Sequence, residues 1–290
     1  MLPQMVKGVL LFSPSNTGPL SIERQVVTIH DMAVFDCAET FSIAFRSWYK
    51  VLLPKLAHRA RHIIAVSAFT KERIQAHVDV SPEKISVIPN GVSSQFRPGL
   101  QAESALAALG LPSRDYVLTV GSTEPRKNIA SLLKAWQRVQ KRVSEDIWLV
   151  VAGGGNSRVF QDTPLQQVPE RVFLLGHVGD QSLPALYAGA RAVAYISTYE
   201  GFGLPLLEAM ASGTPTLASN ASSLPEVAAG SALLVDPFEI EAIENGLERI
   251  LGDVELRSKL RAQGLARAAQ FSWDTTAQKT WNLLQHVGEA

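Results

Sequence analysis

Two carboxylates, Glu200 and Glu208, bracket a glycine-rich turn in the stretch 192–215, which reads AVAYISTYEGFGLPLLEAMASGTP. Residues 193–196 form an apolar run of strand length, and the pattern then predicts a helix that starts near Pro205 and ends close to residue 213. An acid before the turn and another one helical turn later would face the same crevice. The alternative is an ordinary strand-turn-helix unit in which Glu200 caps the strand end and Glu208 is solvated, and the spacing alone leaves both open.

The turn between the two carboxylates could also bind an anion. Its glycines would let a ligand approach the backbone closely. The free amides at the helix start, around Gly203 and Leu204, would point at a negatively charged group.

A pair of cations, Arg126 and Lys127, follows another predicted strand, 116–121, in the run Gly121-Ser-Thr-Glu-Pro-Arg-Lys-Asn128. Asn128 is suited to cap the helix that comes next. Adjacent cations at a helix start suit a diphosphate, Arg through its forked donors and Lys as a point charge. A plain surface pair of basic residues is the alternative.

His30 and Asp31 close a further predicted strand, 25–31, at its carboxyl end, where ligands bind in open α/β sheets. A single histidine at such a position is often only structural. Asp31 could orient that ring or cap the next loop.

Composition predicts a soluble globular protein with no disulfide framework. The 290 residues are 46% hydrophobic with zero net charge, which suffices for two domains. The single Cys37 and the lack of Cys/His spacings typical of zinc sites favour a reducing, cytoplasmic location. No run of 18 apolar residues and no signal-peptide pattern is present.

Alternation of strand and helix patterns predicts two parallel sheets. In the N-terminal region, strands are expected at 9–14, 25–31, 62–67 and 85–89, with helices at about 42–60 and 68–77, the latter capped by Ser67. In the C-terminal region, strands are expected at 116–121, 147–152, 172–177, 192–197, 214–219 and 232–236. Helices are expected near 128–142, 182–191, 205–212, 224–229 and 239–251. Asn90-Gly91 can adopt positive φ where the chain leaves the first domain.

The segment 46–61 is basic and carries aromatic residues. Residues 40–71 contain no acidic side chain, and the cations alternate with phenylalanine, tryptophan, tyrosine and leucine. Such a helix could lie on an anionic membrane surface. The alternative is a core helix with a solvated basic face. A nucleic-acid partner is not favoured, because the net charge is zero and the sequence contains no recognisable nucleic-acid-binding motif.

The Glu200-to-Glu208 stretch, with its Gly-Phe-Gly-Leu-Pro core, resembles the signature of the glycosyl transferases group 1 family (glycosyltransferase family 4), retaining enzymes of the GT-B architecture. Pro125–Asn128, His30-Asp31 and the runs 66–70 and 88–92 resemble further motifs of that family. The resemblance covers about residues 25–275. It implies an α/β fold of two Rossmann-like domains, of which the N-terminal one is expected to be incomplete.

The resemblance also implies a domain division. We expect a partial N-terminal, acceptor-side domain at 1–93, a linker at 94–113, a nucleotide-sugar-binding domain at 114–272, and a helix at 273–290 that crosses back to the N-terminal domain.

The family likeness assigns roles to particular positions. Glu200 and His30 would be catalytic. Glu200 would hold the donor sugar near its reacting carbon, and the imidazole of His30 would hydrogen-bond a sugar hydroxyl or stabilise the leaving diphosphate. The donor-binding residues would be Gly121, Arg126, Lys127, Val178, Gly203, Leu204 and Glu208. Val178 would meet the nucleobase through its backbone, and Glu208 would accept hydrogen bonds from the ribose hydroxyls. No metal ligand and no cofactor are expected, since no Asp-x-Asp motif is present.

The implied function is transfer of a hexose, with a preference for mannose, from a nucleotide-diphospho-sugar such as GDP-mannose to a glycan or lipid-linked acceptor in polysaccharide assembly. The expected location is the cytoplasm, at the inner face of the membrane if the 46–61 segment binds lipid. The alternative is a donor-binding but inactive fragment or subunit that needs a partner for its acceptor site.

Overall fold

The computed structural model describes residues 8–100, 103–112, 115–154 and 168–289. The chain divides into two compact units. Unit 1 comprises Met1–Gly91, Glu200–Phe202 and Phe271–Ala290, and unit 2 comprises Val92–Tyr199 and Gly203–Gln270.

Strands and helices alternate along most of the described chain. The strands are β1 (Leu11–Ser13), β2 (Gln25–Ile29), β3 (His62–Ala65), β4 (Ile85–Val87), β5 (Tyr116–Val120), β6 (Trp148–Ala152), β7 (Val172–Gly176), β8 (Ala192–Tyr195), β9 (Thr216–Ser219) and β10 (Leu233–Val235). The helices are α1 (Ala33–Asp36), α2 (Ile43–Arg59), α3 (Ala68–His77), α4 (Glu103–Ala108), α5 (Ile129–Val139), α6 (Leu183–Gly189), α7 (Leu204–Ala211), α8 (Leu224–Ala228), α9 (Ile240–Gly252), α10 (Val254–Ala268) and α11 (Trp273–Glu289).

In unit 1 the described strands form a parallel sheet in the order β1-β2-β3-β4. Every residue of β2 is buried, because both faces of the sheet are covered at this strand. Val26 and Ile64 pack with Val287 of α11 on one face. The C-terminal helix belongs to the same unit as the N-terminal sheet, and Thr276 Oγ1 donates to the carbonyl of Pro89 at 2.8 Å.

Asn90 and Gly91 could both adopt positive φ, but neither residue has it. Gly91 is required for a different reason. A Cβ at this position would lie 2.2 Å from the backbone nitrogen of Trp273. The glycine therefore lets the end of the β4 segment approach the start of α11.

In unit 2 the described strands form a parallel sheet in the order β10-β9-β8-β5-β6-β7. After β5 the chain adds β6 and β7 on one side of the sheet, and after β8 it adds β9 and β10 on the other side. The strand order therefore reverses between β5 and β8. Their carboxyl ends flank the crevice where open α/β sheets bind ligands. Helices α5 and α9 cover one face, with Trp136 and Leu247 among the buried residues of that core.

The two parallel, Rossmann-like sheets confirm the predicted fold class. Most predicted strands are two to three residues longer than the observed ones, and α3 has the predicted bounds. The short helix α1 was not predicted. Residues of the expected linker 94–113 belong to unit 2 instead. Phe96 explains part of this difference, because its ring packs edge-on against Tyr187, with centroids 5.6 Å apart.

Among the described residues, no helix combines the length and the apolar character needed to cross a lipid bilayer.

Candidate functional site

Lys127 extends across the switch point of the unit 2 sheet. It ends a 3-10 turn, Pro125–Lys127, that follows β5. A Cβ at Gly121 would lie 3.3 Å from Cγ and Cδ of Lys127, so the glycine leaves room for the stem of this side chain. The ammonium nitrogen lies 3.4 Å from the hydroxyl of Tyr195, the last residue of β8. A cation is thereby held at the carboxyl ends of β5 and β8.

Arg126, the other predicted cation, is engaged within its own loop. Its Nε donates to Oε2 of Glu124 at 2.7 Å, and the two side chains are only 12% and 3% exposed. Glu124 also accepts a hydrogen bond from Ser122 Oγ at 2.6 Å. The backbone carbonyl of Arg126 accepts from the amide of Thr198 at 2.8 Å, which ties the loop after β5 to the loop after β8.

Two backbone features shape the edge beside Lys127. Gly153 follows β6 with φ of 136°, and a Cβ there would lie 2.0 Å from the carbonyl oxygen of Gly121, so only glycine fits. Asn128 occupies the predicted capping position of α5 in a left-handed conformation, but its side chain makes no capping hydrogen bond. It donates instead to the carbonyl of Pro237 at 2.7 Å.

The turn before α7 has the geometry expected of a helix start that could face an anion. Gly203 is the N-cap residue with φ of 100°, and Leu204 is the first helical residue. The first amides of any helix lack intrahelical partners. A Cβ on Gly203 would approach Leu224 Cδ2 to 2.5 Å, so the turn requires glycine on steric grounds as well.

Glu208 lies one turn into α7 and is partly buried. Burial raises the pKa of its carboxyl above the usual value, and the negative charge of Asp180 adds to that increase. The facing hydroxyl of Tyr187 acts in the opposite direction and lowers the pKa of Glu208. Tyr187 itself is fully buried, and burial together with Glu208 raises the pKa of its phenol well above the ordinary value.

His30 follows β2 in unit 1 and is partly buried. Its Nε2 lies 3.1 Å from the carbonyl oxygen of Pro14. Because a carbonyl only accepts, we assign the proton to Nε2, which leaves Nδ1 as the acceptor nitrogen of the neutral ring. Asp31 accepts from the amide of Ala33 at 3.0 Å and so caps the next segment, the second of the two roles considered for it.

The segment Glu200–Phe202 belongs to unit 1, although its sequence neighbours belong to unit 2. The carbonyl of Gly201 accepts hydrogen bonds from Ser67 Oγ at 2.6 Å and Thr70 Oγ1 at 3.0 Å. A Cβ on Gly201 would lie 1.8 Å from the carbonyl oxygen of His30. The structure therefore brings the backbone of His30, one predicted catalytic residue, against Gly201, the sequence neighbour of the other. Glu200 itself is 7% exposed.

The predicted site residues fall into three groups. The first group lies at the carboxyl edge of the unit 2 sheet and consists of Gly121, Arg126 and Lys127. The loop after β8, which is hydrogen-bonded to the loop of Arg126, leads to Gly203, Leu204 and Glu208 at the start of α7. His30 and Glu200 belong to unit 1. Val178 is buried in the loop after β7, beyond β6 from the switch point. Sequence reasoning did not assign a role to Glu124, Tyr187 or Tyr195. The two tyrosines were missed because a buried tyrosine in an apolar run is usually interpreted as a core residue.

Both halves of the chain match known protein families. Residues 104–267 match the family described as glycosyl transferases group 1, and residues 19–96 match glycosyltransferase family 4. The chain is 35% identical over 284 residues to the O-antigen chain mannosyltransferase B of Escherichia coli, which covers 95% of this chain and 74% of that relative.

This chain belongs to the glycosyl transferases group 1 family. The glycosyltransferase is also 29% identical over 249 residues to the serotype-specific mannosyltransferase WbdA of Escherichia coli, with 80% of this chain but only 29% of WbdA covered. Among solved structures, Anabaena HepE in complex with UDP and glucose matches with a TM-score of 0.75 at 21% identity, over 90% of this chain and 71% of HepE. That likeness supports the GT-B fold.

Proposed function

We propose that this glycosyltransferase moves a hexose, with a preference for mannose, from a nucleotide-diphospho-sugar to a glycan or lipid-linked acceptor in polysaccharide assembly, with retention of configuration. The preference for mannose, and for GDP-mannose as donor, rests on the likeness to relatives named as O-antigen and serotype-specific mannosyltransferases. The nucleotide-sugar donor is supported by the fold likeness to HepE, which was solved with UDP and glucose.

One observation carries the donor site: the Lys127 ammonium is held at the switch point of the unit 2 sheet, beside the loop that leads into α7. Negative charge develops on the diphosphate as the sugar leaves. Lys127 and the first amides of α7, at Gly203 and Leu204, would stabilise that charge where it appears. Glu208, one turn further into the helix, would accept hydrogen bonds from the ribose.

Arg126 has a different part in this proposal from the one implied by the family likeness. Because its guanidinium is paired with Glu124, it would act by holding the loop that presents Lys127. The transfer would need neither a metal ion nor another cofactor, with Lys127 and the helix amides serving as the electrostatic partners of the diphosphate.

His30 and Glu200 would act on the sugar side. The unprotonated Nδ1 of His30 can accept a hydrogen bond from a donor-sugar hydroxyl. Gly201, fixed by Ser67 and Thr70, would hold the neighbouring Glu200 in place. Val178 would contact the nucleobase through its backbone.

A cavity of about 510 Å³ lies in unit 1, between the sheet and α11, and would be the acceptor site. His30 lies among its lining residues, together with Ile88, Trp273 and Trp281. Aromatic and apolar walls suit the rings of a glycan or the chain of a lipid carrier. A Trp281→Ala variant is expected to raise KM for acceptor and to leave nucleotide affinity unchanged.

Calorimetric titration with GDP and UDP, in the presence of a chelator, tests the donor site. Wild type should bind one of them, Lys127→Ala should lose most of that affinity, and the exposed Lys134→Ala on α5 should retain it. Transfer assays with the matching sugars follow. Binding without transfer would favour the inactive-subunit alternative, and binding of neither nucleotide would refute the donor proposal.

Attachment to the cytoplasmic face of a membrane, through α2, completes the proposal. Ile43, Trp48 and Val51 are exposed on this helix, at 68%, 65% and 55%. Lys50 and Lys55 are exposed beside them. Apolar side chains flanked by cations are typical of surfaces that bind anionic lipid.

A further inference from the structure

Tyr187 presents a buried hydroxyl whose position is fixed on several sides. The residue lies on α6 and is 0% exposed. Its ring packs edge-on against Phe96, and its backbone carbonyl accepts from Thr214 Oγ1 at 2.7 Å. Among the described residues, the hydroxyl makes no hydrogen bond of normal geometry. A buried donor without such a bond is costly, and it calls for an acceptor that forms the bond in another state.

The Glu208 carboxyl on α7 is the acidic group that faces this hydroxyl. A carboxylate offers about four lone-pair sites and can therefore accept from a ligand and from Tyr187 at the same time. The phenol stays protonated, because burial and the Glu208 charge raise its pKa. It is thus a permanent donor toward an acceptor that a ligand can also reach.

Further charged and polar groups lie around this pair. Asp180, in the loop before α6, adds a negative charge near Glu208. Tyr195 of β8 lies beside Tyr187 and accepts from Lys127. Helix α10 also packs on α7, where it brings Arg261 to Gly213, past the end of the helix, and Gly264 to Met210.

We propose that Tyr187 is the positioning residue for Glu208: its hydroxyl donates to one carboxylate oxygen of Glu208 when the other side of the carboxylate accepts the ribose hydroxyls of the donor nucleotide. This inference rests on the proposed function and extends it. The bond orients the carboxylate toward the ribose and favours its ionised form. Tyr187 thereby sets how strongly the site selects ribose over deoxyribose.

The test is isothermal titration of wild type, Tyr187→Phe, Glu208→Gln and the double variant with GDP or UDP, whichever binds, and with its 2′-deoxy form. Loss of one hydrogen bond should weaken ribonucleotide binding about three- to tenfold in Tyr187→Phe. Binding of the deoxynucleotide should change less, so the preference for ribose falls. In the Glu208→Gln background, Tyr187→Phe should add little, because the two residues act as one unit.

A pH series separates positioning from packing. Ribose binding needs the ionised carboxylate and weakens as the pH falls through the pKa of Glu208. The hydroxyl of Tyr187 lowers that pKa, so its removal should raise it and move the acidic loss of affinity to higher pH. A ¹³C NMR titration of Glu208 in the nucleotide-bound protein should show the same shift.

Tyr116→Phe is the matched control, since its buried hydroxyl donates to the carbonyl of Leu186 at 2.7 Å. This variant should have a lower Tm, but its preference for ribose and the pH at which it loses nucleotide affinity should be unchanged. The inference is overturned if Tyr187→Phe behaves like this control. If wild type binds neither nucleotide, the proposed function fails first and the inference fails with it. A wild type that binds, with Tyr187→Phe indistinguishable from it, refutes the inference alone.

Discussion

Replacing Arg126 should affect mainly stability and replacing Lys127 should affect mainly nucleotide binding, although the two residues are adjacent. Arg126→Ala removes the partner of Glu124 and leaves a carboxylate that is 3% exposed without its cation. Lys127→Ala removes an ammonium that contacts Tyr195 at 3.4 Å across the switch point. We therefore expect the first variant to lose stability and the second to lose nucleotide affinity.

The magnitudes follow from the burial of each group. Breaking a buried ion pair by removing one partner costs about 3–5 kcal/mol. Glu124 keeps its hydrogen bond from Ser122, so we expect the lower end, about 3 kcal/mol. For a unit of this size that corresponds to a fall in Tm of roughly 6–12 °C. Lys127→Ala should change stability by less than about 0.5 kcal/mol, while loss of a charge-assisted hydrogen bond weakens nucleotide binding about 10- to 150-fold.

Differential scanning calorimetry and nucleotide titration of the same samples provide the assay. Glu124→Gln/Arg126→Gln is the control for the ion pair, because removing both charges should recover much of the stability lost by Arg126→Ala. The reasoning fails if Arg126→Ala melts with wild type and loses as much affinity as Lys127→Ala. In that case Arg126 binds the diphosphate directly, as the family likeness implies.

Three further changes can be checked together. Gly153→Ala should lower Tm measured by calorimetry, because its Cβ would lie 2.0 Å from the Gly121 carbonyl, and an unchanged Tm would contradict that packing. Gly201→Ala should abolish sugar transfer while nucleotide titration stays near wild type, because its Cβ would lie 1.8 Å from the His30 carbonyl; equal transfer rates would be the contrary result. Trp48→Ala should reduce co-sedimentation with vesicles containing phosphatidylglycerol but leave neutral vesicles unaffected. Phe238→Ala, a change at an exposed aromatic of unit 2, serves as its control, and equal losses in both variants would contradict the assignment to α2.

Contiguity in the sequence does not mean membership of one structural unit in this protein. The signature stretch reads as one motif, yet Glu200 clusters with unit 1 and Glu208 with unit 2. The glycines on either side of Phe202 are constrained by different neighbours, Gly201 by His30 and Gly203 by Leu224. The expectation that both carboxylates face one crevice stays a prediction.

The sequence by itself determined the fold class and most of the positions of the elements. Apolar runs of strand length alternate with helical patterns, and that alternation admits few architectures other than parallel sheets with helices between the strands. It also indicated candidate site positions, because the glycine turn at 201–203 and the cations at 126–127 are local patterns. The N-cap of α3 was also predicted from the sequence, and Ser67 Oγ accepts a hydrogen bond from the amide of Thr70 as expected.

Only the tertiary structure decided what each candidate side chain contacts. Arg126 and Lys127 are equivalent in a sequence pattern, but Glu124 pairs with the first and Tyr195 with the second. Tyr187 could be recognised as a neighbour of Glu208 only once α6 and α7 were packed together. The physical reason is that hydrophobic periodicity records which face of an element is buried, whereas the partners of a polar group depend on residues distant in sequence that meet only when the sheet is assembled.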